Sequence, residues 1–193
     1  MEELLKFKKS YLKRIQDKDI PQIVNWLNDP NFNKLLYQGW ETVTTESFSK
    51  QILEEEKIED AEIFSQYSND TNQIVGWCGL FFPSNSQHKQ AKKAEIRSFV
   101  GTEFWGQGFG TEQYIMLTRL GFEKFNLNRI FFGTHEKNIG TQKIYEKLGF
   151  NKEGILRQDF YHHEFADIHL YGILYLEYVQ KFKKLFQEYE NKN

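Results

Sequence analysis

The sequence has little cysteine, little proline and no long apolar run. Its single cysteine, Cys78, excludes an intramolecular disulfide. Cys78 lies within the apolar stretch 74–82, where a buried packing thiol is expected rather than a nucleophile. No apolar stretch reaches the roughly 20 residues that cross a bilayer, and residues 1–6 lack the apolar core of a signal peptide. We therefore expect a cytoplasmic protein with no membrane partner.

An excess of charge of either sign is also missing. The formal net charge is -2 at pH 7, and the basic residues are scattered along the chain rather than gathered in one stripe. A protein that binds nucleic acid through its phosphates would need such a stripe, so no nucleic-acid partner is expected. The acidic run at 54–56 is interpreted as the solvated end of a helix, with an acidic rim for a cationic substrate as the alternative.

What the chain has in quantity is aromatic side chains. It contains 18 phenylalanines, 10 tyrosines and 4 tryptophans, and 39% of its 193 residues are hydrophobic. A chain of this length and composition can bury a core of its own, with large rings doing much of the packing. We predict one domain that spans residues 1–193.

The pattern of apolar residues predicts strands that alternate with helices, and hence an α/β (α+β) fold with a mixed sheet. Strands are predicted at 11–15, 62–68, 73–82, 93–100, 129–135, 154–161 and 165–174. The first helix is predicted to carry Asp17 or Asp19 as its cap. Further helices are predicted at 45–57, from the glycine turn to about 125, at 138–148 and at 175–190. Strict alternation in 93–100 puts Ile96 on one face and Glu95 on the other.

A glycine-rich turn at 106–110, Gly-Gln-Gly-Phe-Gly, stands between a predicted strand and a predicted helix. Glycines at alternate positions let backbone N–H groups approach a diphosphate closely, and the start of a helix adds partial positive charge. The spacing excludes a dinucleotide-binding G-x-G-x-x-G, because the last position is Thr111, and no G-K-[ST] of a P-loop follows. Taken alone, the turn fits either an anion cradle or a tight bend that binds nothing.

The stretch 138–150, N-I-G-T-Q-K-I-Y-E-K-L-G-F, closely resembles the GNAT acetyltransferase signature N-x-x-[AS]-x-x-[LI]-Y-E-K-x-G-F. The glycine turn resembles the acetyl-CoA loop of the same superfamily, [QR]-x-x-G-x-[GA], and order and spacing agree over residues 93–150. Glu95-Ile96 and Thr111-Glu112 are similar to the ribosomal-protein-type (Rim-type) N-acetyltransferases. One position differs, because Trp105 stands where the loop usually has Gln or Arg, which removes one possible phosphate contact.

This resemblance implies a GNAT fold, in which helices flank a twisted, mixed but mostly antiparallel sheet, and acetyl-CoA as cosubstrate without a metal. The strand residues that would pair with the pantetheine arm are Ser98, Phe99 and Val100. The residues that would hold the diphosphate are Gln107, Gly108, Phe109, Gly110 and Thr111. Asn138 matches a polar residue near the cofactor, and Tyr145 matches the tyrosine beside the sulfur.

Acetyl transfer to an amine requires a neutral nitrogen, whereas an alkylamine has a pKa of about 10.4 and is mostly protonated at neutral pH. A base must therefore remove a proton, directly or through water. Glu95 is the candidate base, since it lies on the strand expected to border the acetyl group; a carboxylate that is merely paired with Arg97 is the alternative. Tyr145 is the candidate acid for the departing thiolate, and a packing tyrosine is the alternative.

Other polar residues permit further hypotheses. Glu112 is interpreted as a first-turn helix residue favoured by the helix dipole, or as one that faces the acceptor. His135 follows a strand and could relay protons in the cleft. Several late residues match no zinc spacing, so no metal site is predicted and their side chains are expected on the acceptor side or the surface. These residues are Asp159, His162, His163, Asp167 and His169.

The preferred hypothesis is an acetyl-CoA-dependent N-acetyltransferase that works by direct attack of a primary amine. The acceptor could be a protein N-terminus, a polyamine or another small amine. A non-catalytic acyl-CoA-binding module is the alternative, because a carboxylate and a tyrosine can occur by coincidence. By analogy with the superfamily, a homodimer is a further possibility.

Overall fold

The centre of the fold is an eight-stranded sheet. This computed structural model describes residues 5–33, 35, 43–57, 61–82, 92–162 and 164–191. The strands are β1 (Leu5–Lys6), β2 (Ser10–Arg14), β3 (Ala61–Ser68), β4 (Ile74–Phe81), β5 (Lys93–Val100), β6 (Arg129–His135), β7 (Asn151–His162) and β8 (Glu164–Leu174). They lie in the order β1-β2-β3-β4-β5-β6-β8-β7. Every neighbouring pair is antiparallel except β5 with β6, so the predicted mixed, mostly antiparallel sheet is confirmed.

Helices flank this sheet. They are α1 (Ile20–Leu27), α2 (Pro30–Asn33), α3 (Thr45–Lys57), α4 (Phe109–Arg119), α5 (Ile139–Leu148), α6 (Tyr175–Glu177) and α7 (Lys183–Asn191). A π-helical turn extends α4, and another joins α6 to α7. The predicted strands and helices are therefore confirmed, with small shifts at their ends. None of the described helices is both long and apolar enough to cross a membrane.

The predicted cap of the first helix is wrong in its detail. No side chain bonds to the first amides of α1. Asp19 is instead buried, and its carboxylate accepts hydrogen bonds from the Gln16 N–H (3.0 Å) and from the hydroxyls of Ser65 (2.8 Å) and Tyr67 (2.5 Å). Burial, together with this contact, raises the pKa of Tyr67. Asp19 therefore fastens the start of α1 to β3 rather than capping it.

The sheet separates two apolar cores. The first lies against α4, α5 and the C-terminal helices, and it receives Ala94 and Ile96 from β5. The second lies against α1 and α3, and it receives Phe99 from β5. As its predicted alternation implies, β5 contributes side chains to the core on each face of the sheet. Cys78 belongs to the first core, where burial raises the pKa of its thiol, so its predicted packing role is confirmed.

β5 and β6 diverge partway along their length. Parallel pairing joins residues 93–95 of β5 to residues 129–131 of β6. Beyond this ladder β5 stays paired with β4 as far as Val100, while β6 stays paired with β8 as far as His135. Because the two strands part, the edge of β5 that faces β6 borders an opening in the sheet after Glu95.

Candidate active site

Two openings meet where β5 and β6 diverge. The larger opening, the cleft, has a volume of about 560 Å³ and follows the glycine turn and the start of α5. The smaller opening, the pocket, has a volume of about 120 Å³ and extends toward α1 and α3. The residues that border both are Leu35, Ser98, Phe99, Tyr114, Asn138 and Thr141. A group bound in the cleft would therefore meet a group bound in the pocket at this junction.

The glycine turn bends sharply into α4. Gly106 and Gly108 have φ angles of 76° and 95°, in the left-handed region that glycine tolerates best. The Glu112 N–H bonds back to the Gly108 carbonyl (3.2 Å), so the amides before it precede the hydrogen-bonded ladder of the helix. Such amides, aided by the helix dipole, are suited to a diphosphate. In this turn and the first residues of α4, the residues that border the cleft are Gly106, Gly108, Phe109, Gly110 and Thr111.

Glu112 connects the first turn of α4 to the start of β2. It is buried, and its carboxylate accepts hydrogen bonds from the Lys9 N–H (3.0 and 3.2 Å) and from the Ser10 hydroxyl (2.6 Å). Burial raises the pKa of Glu112, and these hydrogen bonds oppose that rise. The Gln66 amide also links the Ser10 hydroxyl (2.8 Å) to the Phe109 carbonyl (3.1 Å). The hypothesis that Glu112 faces the acceptor is therefore wrong, because the carboxylate points to the start of β2.

The Lys9 ammonium reaches the turn from behind. It donates to the Gln107 carbonyl (2.9 Å), while the Gln107 side-chain amide donates to the Glu103 carbonyl (3.0 Å). Gln107 is thus fixed at both ends, and its side chain is folded back along the chain. Trp105, at the position where the resemblance would place Gln or Arg, donates its indole N–H to the Val100 carbonyl (2.8 Å).

The predicted pantetheine-binding residues lie at the opening in the sheet. Ser98 and Phe99 border both the cleft and the pocket, and Val100 borders the cleft. The Phe99 carbonyl accepts from the side-chain amide of Gln113 (2.9 Å), which fixes α4 to the end of β5. Across the opening, Asn138 caps α5 by accepting from the Thr141 N–H (3.2 Å).

A pair of buried tyrosines stands at the junction. The hydroxyl of Tyr145, predicted from the sequence, lies 2.8 Å from the hydroxyl of Tyr114, which the sequence analysis missed. Burial, aided by the neighbouring phenol, raises the pKa of Tyr145 well above its ordinary value. Burial also raises the pKa of Tyr114, against a hydrogen bond with Ser98 that lowers it. The sequence could have indicated Tyr114, because it lies one helical turn after Gly110 and therefore on the same face of α4 as the glycine turn.

Glu95 borders the pocket and forms the predicted ion pair with Arg97, while its role as a base stays a prediction. Its carboxylate accepts from the Arg97 guanidinium (3.0 Å to Nε, 2.9 Å to Nη2). The Arg97 guanidinium in turn lies 4.3 Å above the ring of Phe81. Glu95 is therefore an ion-paired carboxylate at the edge of the pocket, and the Arg97 guanidinium that holds it lies over an aromatic ring.

The structure places His135 against the late strands rather than in the cleft. Its Nδ1 accepts from the Lys137 N–H (3.0 Å), and its ring packs edge-on against Phe160 at 5.2 Å. Burial lowers the pKa of His135, so the buried ring favours its neutral form. The hypothesis of a proton relay in the cleft is therefore wrong.

The late polar residues are dispersed. Asp167 accepts from the Gln158 N–H (2.9 Å), and His169 lies 3.1 Å from the Gln142 side chain. No group of three histidine, cysteine, aspartate or glutamate residues within the described ranges could hold a metal ion. His163 and the side chain of His162 lie outside what the structure describes.

Comparison with known proteins points to one family. A family model described as "Acetyltransferase (GNAT) domain" matches residues 10–151. The uncharacterized N-acetyltransferase p20 of Bacillus licheniformis is 28% identical over 173 residues, which cover 87% of this chain and 94% of that protein. The putative ribosomal N-acetyltransferase YdaF of Bacillus subtilis is 30% identical over 105 residues, 52% of this chain and 55% of that protein.

Among solved structures, the spermidine N-acetyltransferase from Vibrio cholerae, in complex with CoA and spermine, matches with a TM-score of 0.79. The match covers 89% of this chain and 99% of that chain at 19% sequence identity. At this level of identity the likeness establishes the fold.

Proposed function

The chain belongs to the GNAT acetyltransferase family and is an N-acetyltransferase, and from this premise we propose that it transfers the acetyl group of acetyl-CoA to a primary amine. The predicted enzyme class is thereby confirmed, and the alternative of a non-catalytic acyl-CoA-binding module is set aside. Residues 1–193 are proposed to form one such domain. Polyamines, protein N-termini and other small amines are the acceptor classes to be distinguished.

The observation that carries this proposal is the junction of the cleft and the pocket at the divergence of β5 and β6. Two reactants that enter from opposite sides would meet there, next to Ser98 and Tyr114. Holding two reactants together in this way converts a bimolecular reaction into an effectively unimolecular one. Direct attack of the amine therefore needs no covalent intermediate on the protein.

The cleft fits a coenzyme with several phosphates. The amides of Phe109, Gly110 and Thr111 would hold the diphosphate, while the left-handed Gly108 and the hydrogen-bonded Gln107 shape the turn. Lys143 and Lys147 add positive charge along the wall formed by α5. The Vibrio cholerae structure that shares the fold contains CoA, which supports this assignment. Ser98, Phe99, Val100 and Asn138 are proposed to border the pantetheine arm.

Glu95 is the proposed base. It borders the pocket on the side from which an amine would approach the thioester. As the nitrogen attacks the carbonyl carbon, the C–N bond forms, the C–S bond breaks and Glu95 accepts the proton that the nitrogen loses, directly or through water. Arg97 keeps the carboxylate oriented for this role through the hydrogen bonds at 3.0 and 2.9 Å.

Tyr145 is the proposed hydrogen-bond donor to the departing thiolate. Because burial raises the pKa of Tyr145, its phenol keeps its proton at neutral pH. A buried donor aimed at developing negative charge is worth more than the same donor in water. Tyr114, whose hydroxyl lies 2.8 Å away, orients this phenol.

The test is release of CoA thiol from acetyl-CoA with a panel of amines, for the parent protein, Glu95→Gln and Tyr145→Phe. We expect kcat to fall about 100-fold or more in Glu95→Gln, since a positioned base contributes roughly 10²–10⁴-fold. Tyr145→Phe should lower kcat by about tenfold, which corresponds to the loss of one hydrogen bond. The loss stays at this size because the Tyr114 hydroxyl remains nearby as a second donor. Calorimetry should report CoA binding that is unchanged in both variants.

Two results would contradict the proposal at different points. A parent that gives no heat with CoA would remove the assignment of the cleft. Wild-type rates in both variants would remove the assigned base and donor while leaving the family and its reaction in place.

A further inference from the structure

The pocket differs from the cleft in size, lining and charge, and these differences bear on the acceptor. We infer that it selects an arylalkylamine, that is, a primary amine with one uncharged, ring-sized body that carries a hydrogen-bond acceptor, rather than an extended polycation. The inference rests on the proposed function, because it names the acceptor of the same reaction.

The volume of the pocket matches one ring. At about 120 Å³ it is close to the roughly 150 Å³ of an apolar cavity that holds benzene. The cleft, at about 560 Å³, is several times larger. A body of one ring fills the pocket and leaves a short alkyl arm to bring the amine to the junction.

The walls of the pocket are largely aromatic. The rings of Trp77 and Phe99 stack at 5.5 Å, and Phe48 and Phe81 pack against Trp77 at 6.2 and 5.9 Å. Leu27 and Ile52 and their neighbours in the second core back this wall. Aromatic rings attract a further ring in edge-to-face or offset geometry, beyond the gain from burial alone.

The charges on the described wall cancel. Within the described ranges, the charged side chains that border the pocket are Glu95 and Arg97, and they pair with each other. A polyamine carries several separated ammonium groups, each of which loses hydration on entry and needs its own carboxylate. A monoamine brings a single ammonium group, which can share the Glu95 carboxylate with Arg97.

One of the residues that border the pocket, Trp77, contains a hydrogen-bond donor without a partner in the described part of the chain. Trp77 is 9% exposed, and its indole N–H is buried without a hydrogen-bond partner among the described residues. A buried N–H without an acceptor is unfavourable, and most such groups in proteins are paired. A phenolic oxygen on the ring of the acceptor would supply the missing partner.

The experiment compares tyramine, 2-phenylethylamine and spermidine as acceptors at saturating acetyl-CoA, for the parent and for Trp77→Phe. For the parent, kcat/KM with tyramine should exceed that with 2-phenylethylamine by about fivefold, the effect of one neutral hydrogen bond. It should exceed that with spermidine by about tenfold or more, because the apolar wall cannot pair the additional charges. Trp77→Phe keeps a ring and removes the N–H, so the ratio of kcat/KM for tyramine to kcat/KM for 2-phenylethylamine should fall about fivefold relative to the parent.

Each other outcome has a defined meaning. If spermidine, or any non-aromatic amine of equal chain length, is used as well as tyramine, the inference is overturned and the proposed function stands. Equal loss of both arylalkylamines in Trp77→Phe, with CoA binding intact, overturns the role of the indole N–H and with it the inference. Should Trp77→Phe not fold, the order of the three amines with the parent still decides. Failure of every amine with a parent that binds CoA would count against the proposed function itself.

Discussion

The cleft and the pocket are built from different parts of the polypeptide. The cleft takes its shape from the backbone, through the left-handed glycines at 106 and 108 and the amides that open α4. The pocket takes its shape from side chains of α1, α3, β4 and β5, which also fill the second core. Substitutions that alter the path of the backbone should therefore weaken binding in the cleft. Substitutions that repack the second core should alter the shape of the pocket.

The largest effect is expected where a wall of the pocket is also part of the core. Phe48 is buried and packs against Trp77, so Phe48→Ala should lower the free energy of unfolding by about 3–5 kcal/mol. The glycine turn lies outside this core, and CoA affinity at a temperature where the variant stays folded should be unchanged. Urea unfolding and calorimetry with CoA measure the two quantities, and Phe48→Leu is the milder control. A folded Phe48→Ala protein with tenfold weaker CoA binding would show that the two regions are not separable.

The reverse separation is expected at the turn. Gly108 has a φ of 95°, where a β-branched residue is strongly strained. Gly108→Val should weaken CoA binding by about 30-fold, equivalent to about 2 kcal/mol, because relief of this strain moves the amides that follow. Gly140→Ala is the matched control. A Cβ added at Gly140 would lie 3.9 Å from the Asn138 side chain, an ordinary van der Waals distance. Equal CoA affinity in Gly108→Val and the parent would mean that the turn does not hold the diphosphate.

These two regions also differ in how far the sequence could predict them. The alternation of β5, the glycine turn and the helix predicted at 138–148 rest on local signals, and the structure has those elements. The role of Glu112 could not be predicted in this way, because the amide that it binds lies 103 residues away at Lys9. Asp19 was assigned wrongly for the same reason, since its partner Ser65 is 46 residues away.

The pocket was beyond such signals altogether. Its rings come from separate helices and strands, and which of them meet depends on how α1 and α3 pack on the sheet. Periodicity can predict that such residues are buried, but it cannot say which buried rings leave a space between them.

A third prediction concerns the buried carboxylate behind the turn. Burial raises the pKa of Glu112 above its ordinary value of 4.5, so the folded protein binds this proton more tightly than the unfolded chain. The contribution to stability is therefore complete below pH 4.5 and is lost as the pH rises through the folded pKa. Glu112→Gln abolishes the titration while keeping an acceptor for Lys9.

The measurement is urea unfolding of the parent and of Glu112→Gln between about pH 5 and pH 8. The parent should lose stability relative to the variant as the pH increases, because the raised pKa of Glu112 makes its deprotonation in the folded protein unfavourable. Glu46→Gln, an exposed change on α3, should give a curve parallel to that of the parent. If the parent gained stability over Glu112→Gln with rising pH, the carboxylate would be stabilised as an anion and the stated sign would be wrong.

The smallest effect is expected at Lys9, which touches the turn without bordering the cleft. Its ammonium donates to the Gln107 carbonyl at an exposed position, so Lys9→Met should remove about 0.5–1 kcal/mol of support for the turn. We expect the KM for acetyl-CoA to rise about twofold to fivefold with kcat unchanged, because an interaction that only positions the cofactor is equally strong in the ground state and the transition state. Lys8→Met changes a neighbouring exposed lysine and is the matched control. A fall in kcat at constant KM would instead show that Lys9 affects the chemical step. The cleft would then depend on a side chain as well as on its backbone, and the division between a backbone cleft and a side-chain pocket would not hold.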